Sequence, residues 1–173
     1  YSLSDEAAAA LDAMLSRSDD PAEDALLRAM GGRSAVTQAM GDLGIPEIGE
    51  TATPSAVLAL LERFYARQTG LSPSSHERIM KIMSTSSTGL HRIKAGAPAN
   101  AAVANKTGTM PGTVNDVGII TSADGRDHVL IVVFSKGGRS STMTQRERAV
   151  ALITRAVYRE FVGWTPWRRA STQ

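Results

Sequence analysis

Ala101-Ala102-Val103-Ala104-Asn105-Lys106-Thr107-Gly108-Thr109 decides how this chain is read. Small and β-branched residues lead into a cation, two hydroxyls and a glycine, a pattern that reads as a strand with polar groups along one edge. Two more β-like runs follow, Asp116 to Thr121 and His128 to Ser135, joined by a turn at Asp124-Gly125. Val129-Leu130-Ile131-Val132-Val133-Phe134 is continuously apolar, which predicts a strand buried on both faces. Something must cover it. Between Thr144 and Phe161, Val150, Ile153, Val157 and Phe161 recur at helical spacing, with Leu152 and Ala156 widening the face, so one covering helix is expected there. Three antiparallel strands and one helix make a lean sheet for so buried a strand. Further strands are therefore expected from residues outside this sequence or from a partner chain.

Upstream, the periodicity is helical. Ser4-Asp5-Glu6 opens a run of strong helix formers from Ala7 to Leu15, with its carboxylates at the positive end of the helix dipole. Asp20 is the expected N-cap of a second helix, with Pro21 at its first position, Glu23 completing a capping box and Gly31-Gly32 ending it. Arg33 to Leu43 reads as a third, short helix. Thr53-Pro54 opens a fourth, whose stripe of Val57, Leu58, Leu61, Phe64 and Tyr65 runs toward Gly70, and Ser74-Ser75-His76-Glu77 caps a fifth through Met83. Ser84 to Pro98 reads as a polar loop. The expected fold class is α+β, with one partial domain over residues 1–173. It comprises a mainly helical lobe at 1–98, the sheet and C-terminal helix at 99–163, and a tail at 164–173. In that tail Trp164-Thr165-Pro166-Trp167-Arg168-Arg169 reads as packing against the body or as a partner-binding patch.

Composition narrows the function. The 173 residues carry 42% hydrophobic residues, enough for a real core, and a net charge of only +2. Lys and Arg are scattered among Asp and Glu, with no basic block longer than Arg168-Arg169, which argues against nucleic-acid binding. Without cysteine there is no disulfide, thiolate metal site or thiol nucleophile. His76, His91 and His128 stand in no metal-ligand spacing, so neither metal nor cofactor is expected. No run reaches membrane-helix length, and the first residues lack a signal pattern. The chain starts at Tyr1 without methionine, so a preceding segment is expected to have been removed.

Lys-Thr-Gly belongs to a constellation with Ser-x-x-Lys and Ser-Asp-Asn in serine β-lactamases and penicillin-binding proteins. Ser18-Asp19-Asp20, between two helices, resembles the Ser-Asp-Asn loop. Thr88-Gly89-Leu90-His91-Arg92-Ile93-Lys94-Ala95-Gly96-Ala97-Pro98 resembles the segment before the active strand of class A β-lactamases, and Asn115-Asp116-Val117-Gly118-Ile119-Ile120 their following strand. Order and spacing agree over nearly the whole chain, so it resembles the later part of a class A domain, with penicillin-binding proteins as more distant relatives. The expected architecture is then β-lactamase/transpeptidase-like, without its N-terminal helix, first two strands and nucleophile helix. A secreted, periplasmic or cell-envelope setting goes with it.

The resemblance also implies roles. Lys106 would supply the cation, and Thr107 or Thr109 a hydroxyl, for the carboxylate of a β-lactam or D-alanyl peptide. Gly108 would allow close backbone approach. The Thr109 N–H would be one of two oxyanion donors, a group whose loss typically costs ~3 kcal/mol in the transition state. Ser18 would relay a proton to the leaving nitrogen, and Asp20 would occupy the substrate-facing position of the loop. Three departures stand against turnover. The residues three before Lys81, Lys94, Lys106 and Lys136 are Arg78, His91, Val103 and Val133, so Ser-x-x-Lys is absent. Asp20 replaces an asparagine, and an ionised carboxylate cannot donate. Gly44 to Thr53 is much shorter than the family's Ω-loop and has no Glu-x-x-Leu-Asn; Glu47 and Glu50 are there, and a solvated loop explains both. Either the nucleophile lies on residues outside this sequence, in a complementing N-terminal segment or chain, or the protein has lost it and serves as a non-catalytic binding or assembly domain.

Overall fold

A computed structural model describes residues 4–49, 51–137 and 141–163. The tail tryptophans Trp164 and Trp167, and Glu50, lie outside the described residues. The chain divides into two compact units, Tyr1–Thr88 and Gly89–Gln173.

The first unit is helical among its described residues: α1 (Asp5–Arg17), α2 (Asp20–Ala29), α3 (Arg33–Asp42), α4 (Pro54–Tyr65) and α5 (Pro73–Ser84). Local chemistry sets the starts. Ser4 accepts from the Ala7 N–H, Thr53 from Ala56 and Ser72 from Ser75, each satisfying a donor that the first helical turn leaves open. Two expected starts are corrected. The cap of α2 is Asp19, whose Oδ1 accepts from the Ala22 N–H at 2.9 Å, while Asp20 is already the first helical residue. The α5 helix begins at Pro73 behind Ser72, not at Ser74. Proline lacks the N–H that a first-turn position would leave unpaired, so Ser72-Pro73 works as Thr53-Pro54 does. The α4 stripe also stops at Tyr65, before Gly70. Arg78 ties α5 to α1 through Asp12 at 3.0 Å, an exposed ion pair worth less than about 1 kcal/mol.

In the second unit a short α6 (Ile93–Gly96) precedes β1 (Ala102–Met110), β2 (Thr113–Thr121), β3 (His128–Lys136) and α7 (Met143–Val162). The strands form one antiparallel sheet in the order β1-β2-β3. The β2–β3 turn at Asp124-Gly125 is as expected, with Asp124 accepting from the Ser122 hydroxyl and the Arg126 N–H. Strand β3 differs: Val129, Ile131 and Val133 are buried, whereas Leu130, Val132 and Phe134 are half-buried. Its apolar run thus marks one fully covered face, not two.

The segment expected as a polar loop contributes to the core, because Ile93 and Ala97 pack with Val114, Ile120, Val129, Ile131, Val133, Val150 and Tyr158. The buried stripe of α7 is Val150, Thr154 and Tyr158, while Leu152, Ile153 and Phe161 are exposed, which corrects the expected apolar stripe. A threonine can sit there because its hydroxyl donates to the Val150 carbonyl at 2.9 Å, leaving only its methyl to pack. The helix is turned toward α6, whose Gly96 lies hard against the Ala151 carbonyl and the Thr154 side chain.

Candidate functional site

The two units hold the candidate residues separately. In the first, Ser18 closes α1 in the left-handed region at φ 54° and ψ 51°, and its N–H donates to the Met14 carbonyl. A non-glycine residue there costs about 1 kcal/mol, a strain that clusters at functional sites. Asp20 is exposed in the first turn of α2. Glu47 is exposed too, as a solvated loop requires.

In the second unit the register pairs Thr107 with Asp116 and Thr109 with Val114. Strand alternation therefore puts Asn105, Thr107, Thr109 and Asp116 on the face that carries the core, and Lys106 and Gly108 on the other. Lys106 is half-buried, and its Nζ donates to the Thr107 carbonyl at 2.7 Å. Gly108 is exposed, and a Cβ built on it would come no nearer to any neighbour than 3.6 Å, to Asn115. The fold therefore does not need glycine at 108. Gly108→Ala is expected to change stability by less than about 1 kcal/mol. Urea melts check this, and a large stability loss would contradict it.

Sequence reasoning assigned no role to Arg92, which the structure makes central. It is 3% exposed, and its guanidinium donates to Glu147 Oε1 at 3.1 Å, the Asn115 carbonyl at 2.9 Å and Thr109 Oγ1 at 2.8 Å. One side chain thereby joins the α6 turn, β1, β2 and α7, and places a fixed cation beside Thr109. The partners lie 17 to 55 positions away, so no local spacing announces them.

Asp116 and Asn105 were also unassigned, although an aspartate inside an apolar strand was a signal in plain view. Both are fully buried. Asp116 accepts from Asn105 Nδ2 at 2.9 Å and from the Ile93 N–H at 3.1 Å. Burial pushes its carboxyl up to about 6, against the opposing pull of Asn105, the Ile93 N–H, Arg92 and Lys94. Lys94 is in turn lowered by burial, with Asp116 acting against that shift.

A raised carboxyl means that the folded state binds the extra proton, so the stability linked to Asp116 is full below about pH 4 and is lost as pH rises through about 6. The difference is on the order of 3 kcal/mol. Asp116→Asn is expected to remove that limb from the stability profile, measured by denaturant midpoints across the range. An unchanged profile would assign the limb to other groups.

A family profile described as the Beta-lactamase enzyme family matches residues 4–161. Among relatives, the chain is 30% identical to "Extended-spectrum beta-lactamase PER-1" of Pseudomonas aeruginosa, over 83% of this chain and 53% of that protein. It is 32% identical to a β-lactamase of Bacillus licheniformis, over 72% of this chain and 46% of that one. Among solved structures, the last common ancestor of Gram-negative bacteria class A β-lactamase superposes with a TM-score of 0.84 at 28% identity, covering 90% of this chain and 65% of that one. A β-lactamase from Chitinophaga pinensis gives 0.81 at 31% identity, covering 88% and 64%. The chain thus spans about half the length of these sequence relatives.

Proposed function

Because the chain belongs to the class A serine β-lactamase family, we propose that its second unit carries the carboxylate and oxyanion side of a serine acyl-transfer site, with a β-lactam or D-alanyl peptide as substrate. The observation that carries this reading is the Lys106-Thr107-Gly108-Thr109 strand with the buried Arg92 guanidinium docked on Thr109 Oγ1. Along the open edge of β1, Lys106 from one face and Arg92 from the other supply positive charge, and Thr107 or Thr109 supplies a hydroxyl, for charge-assisted hydrogen bonds to a carboxylate. The open backbone at Gly108 lets the substrate lie along the strand, and the Thr109 N–H serves the oxyanion. Ser18 relays the proton to the leaving nitrogen, a role supported by the family resemblance and by its strained backbone. Asp20, the first residue of α2, takes the place of the motif's asparagine, where as a carboxylate it accepts hydrogen bonds in place of donating them.

Acylation requires a serine from residues beyond this sequence, which contains no Ser-x-x-Lys. The short stretch from Gly44 to Thr53 offers no deacylating glutamate motif, so an acyl-enzyme formed this way turns over slowly. With the native polypeptide, stopped-flow mixing with a chromogenic cephalosporin is expected to show an accumulating acyl-enzyme. Fast steady turnover without accumulation would sink this part. The family setting also proposes a secreted or cell-envelope location; no helix among the described residues is long and apolar enough to cross a membrane.

The absent Ser-x-x-Lys favours a second reading, a non-catalytic β-lactamase-like domain that keeps the strand for binding or assembly. Fluorescent penicillin separates the two. Covalent labelling of the native polypeptide supports acyl transfer, and saturable binding without a covalent bond supports the binding domain.

A further inference from the structure

The buried pair Asn105 and Asp116 is unused by the roles above, yet it touches both parts of the proposed carboxylate site. Asn105 immediately precedes Lys106 on β1, and Ile93 immediately follows Arg92. Asp116 holds one of these neighbours with each oxygen: Oδ1 accepts from Asn105 Nδ2, and Oδ2 accepts from the Ile93 N–H. We propose that Asp116 is a positioning residue, fixing the Lys106–Thr109 strand against the Arg92 turn so that the two cations and the threonine hydroxyls are held as one arrangement. This rests on reading the strand as a carboxylate site.

Two observations support it independently. The Asn105 Oδ1 is buried without a hydrogen-bond partner, so the amide is oriented by its bond to Asp116 at the expense of its own carbonyl. Packing adds a second constraint. A Cβ on Gly89, at φ +69°, would lie 2.5 Å from Thr107 Cγ2, 2.9 Å from Asn105 Nδ2 and 3.3 Å from Asp116 Oδ2. The turn that leads to Arg92 is thus pressed onto the same three side chains, and only glycine fits between them. The charges bearing on Asp116 are Arg92 and Lys94 from the α6 segment, with Glu147 of α7 already paired to Arg92. On the neighbouring strands it faces uncharged Thr107 and Val133 in register.

The test uses the full chain labelled for NMR, with benzylpenicillin as the probe. Asp116→Asn retains an acceptor for the Ile93 N–H, and once the Asn105 amide turns over, the new NH2 donates to Asn105 Oδ1, so the contact between strand and turn survives. Its penicillin affinity should stay within about twofold of the parent chain, and the amide shifts of Thr107 to Thr109 should be nearly unmoved. Asp116→Val and Asn105→Ala should both displace those amide signals and weaken penicillin binding on the order of tenfold while the chain remains folded. Asn105→Ala carries the test if the valine variant does not fold. Two results overturn the proposal: both disruptive variants binding as the parent does, or Asp116→Asn losing as much affinity as Asn105→Ala, which would make the charge and not the placement decisive. If the parent chain shows no penicillin-induced shifts at Lys106 to Thr109, the carboxylate-site reading fails. The amide shifts of the variants still report whether Asp116 places the strand.

Discussion

Arg92→Ala is expected to cost the second unit about 3–5 kcal/mol, much of the stability of an ordinary domain. The size follows from what is left behind. The side chains of Arg92 and Glu147 are 4% and 14% exposed, so deleting the guanidinium strands a largely dry carboxylate on α7. It also removes a donor from the Asn115 carbonyl and from Thr109 Oγ1. The desolvation of Glu147 remains while its compensation is gone. Urea unfolding should show a much lower midpoint with an unchanged slope, because the surface exposed on unfolding is nearly the same. Replacing both partners, as Arg92→Met with Glu147→Leu, should recover most of the loss, since two apolar side chains leave no buried charge. If the double variant is as unstable as the sum of the single ones, the pair is not the source. On the proposed carboxylate-site reading, penicillin binding should nevertheless stay impaired in the double variant, because the cation beside Thr109 is absent. Stability and binding then separate, and that separation distinguishes a structural arginine from one that also serves the site.

The second large effect is steric. Gly96→Ala would drive a methyl group onto the backbone carbonyl of Ala151 and to 2.5 Å from Thr154 Cβ. A backbone atom cannot rotate aside, so α6 must shift away from α7, at about 3 kcal/mol or more. The gain in helix propensity, at most about 1 kcal/mol, does not offset it. Gly41, inside α3, has nothing within 4 Å of the same hypothetical atom and no positive φ. Gly41→Ala should therefore stabilise the chain by about 0.5–1 kcal/mol. Thermal melts of the two variants should move in opposite directions. A neutral Gly96→Ala would mean that the α6–α7 contact yields easily, and the buried placement of Ile93 and Arg92 would lose its mechanical explanation.

Much of this molecule was legible in its residues. Ser4, Thr53-Pro54, Asp124-Gly125 and the run through Lys106-Thr107-Gly108-Thr109 act through their immediate neighbours, and their elements form where local rules put them. The family could be read from motif order for a related reason: each motif is a short contiguous segment that is recognisable without its distant partners. Reading failed wherever a choice lay between neighbours or depended on a distant partner. Either Asp19 or Asp20 could cap α2, and the left-handed backbone at Ser18 accompanies the choice of Asp19. Counting apolar side chains on α7 picked Ile153 and Phe161, because hydropathy does not show that Thr154 satisfies its hydroxyl on its own helix or that Gly96 lets α6 close in.

The sequence alone determined the α+β class, the helical first part, the antiparallel strands, the family and the cation-hydroxyl-glycine strand, because each is announced by a pattern within a short stretch of residues. Only the tertiary structure decided that Arg92 stands beside Thr109, that Glu147 neutralises it from α7, and that Asp116 grips Asn105 and the Ile93 N–H. Those charges can sit out of water only because partners 11 to 55 positions away arrive together, and no local pattern encodes that convergence.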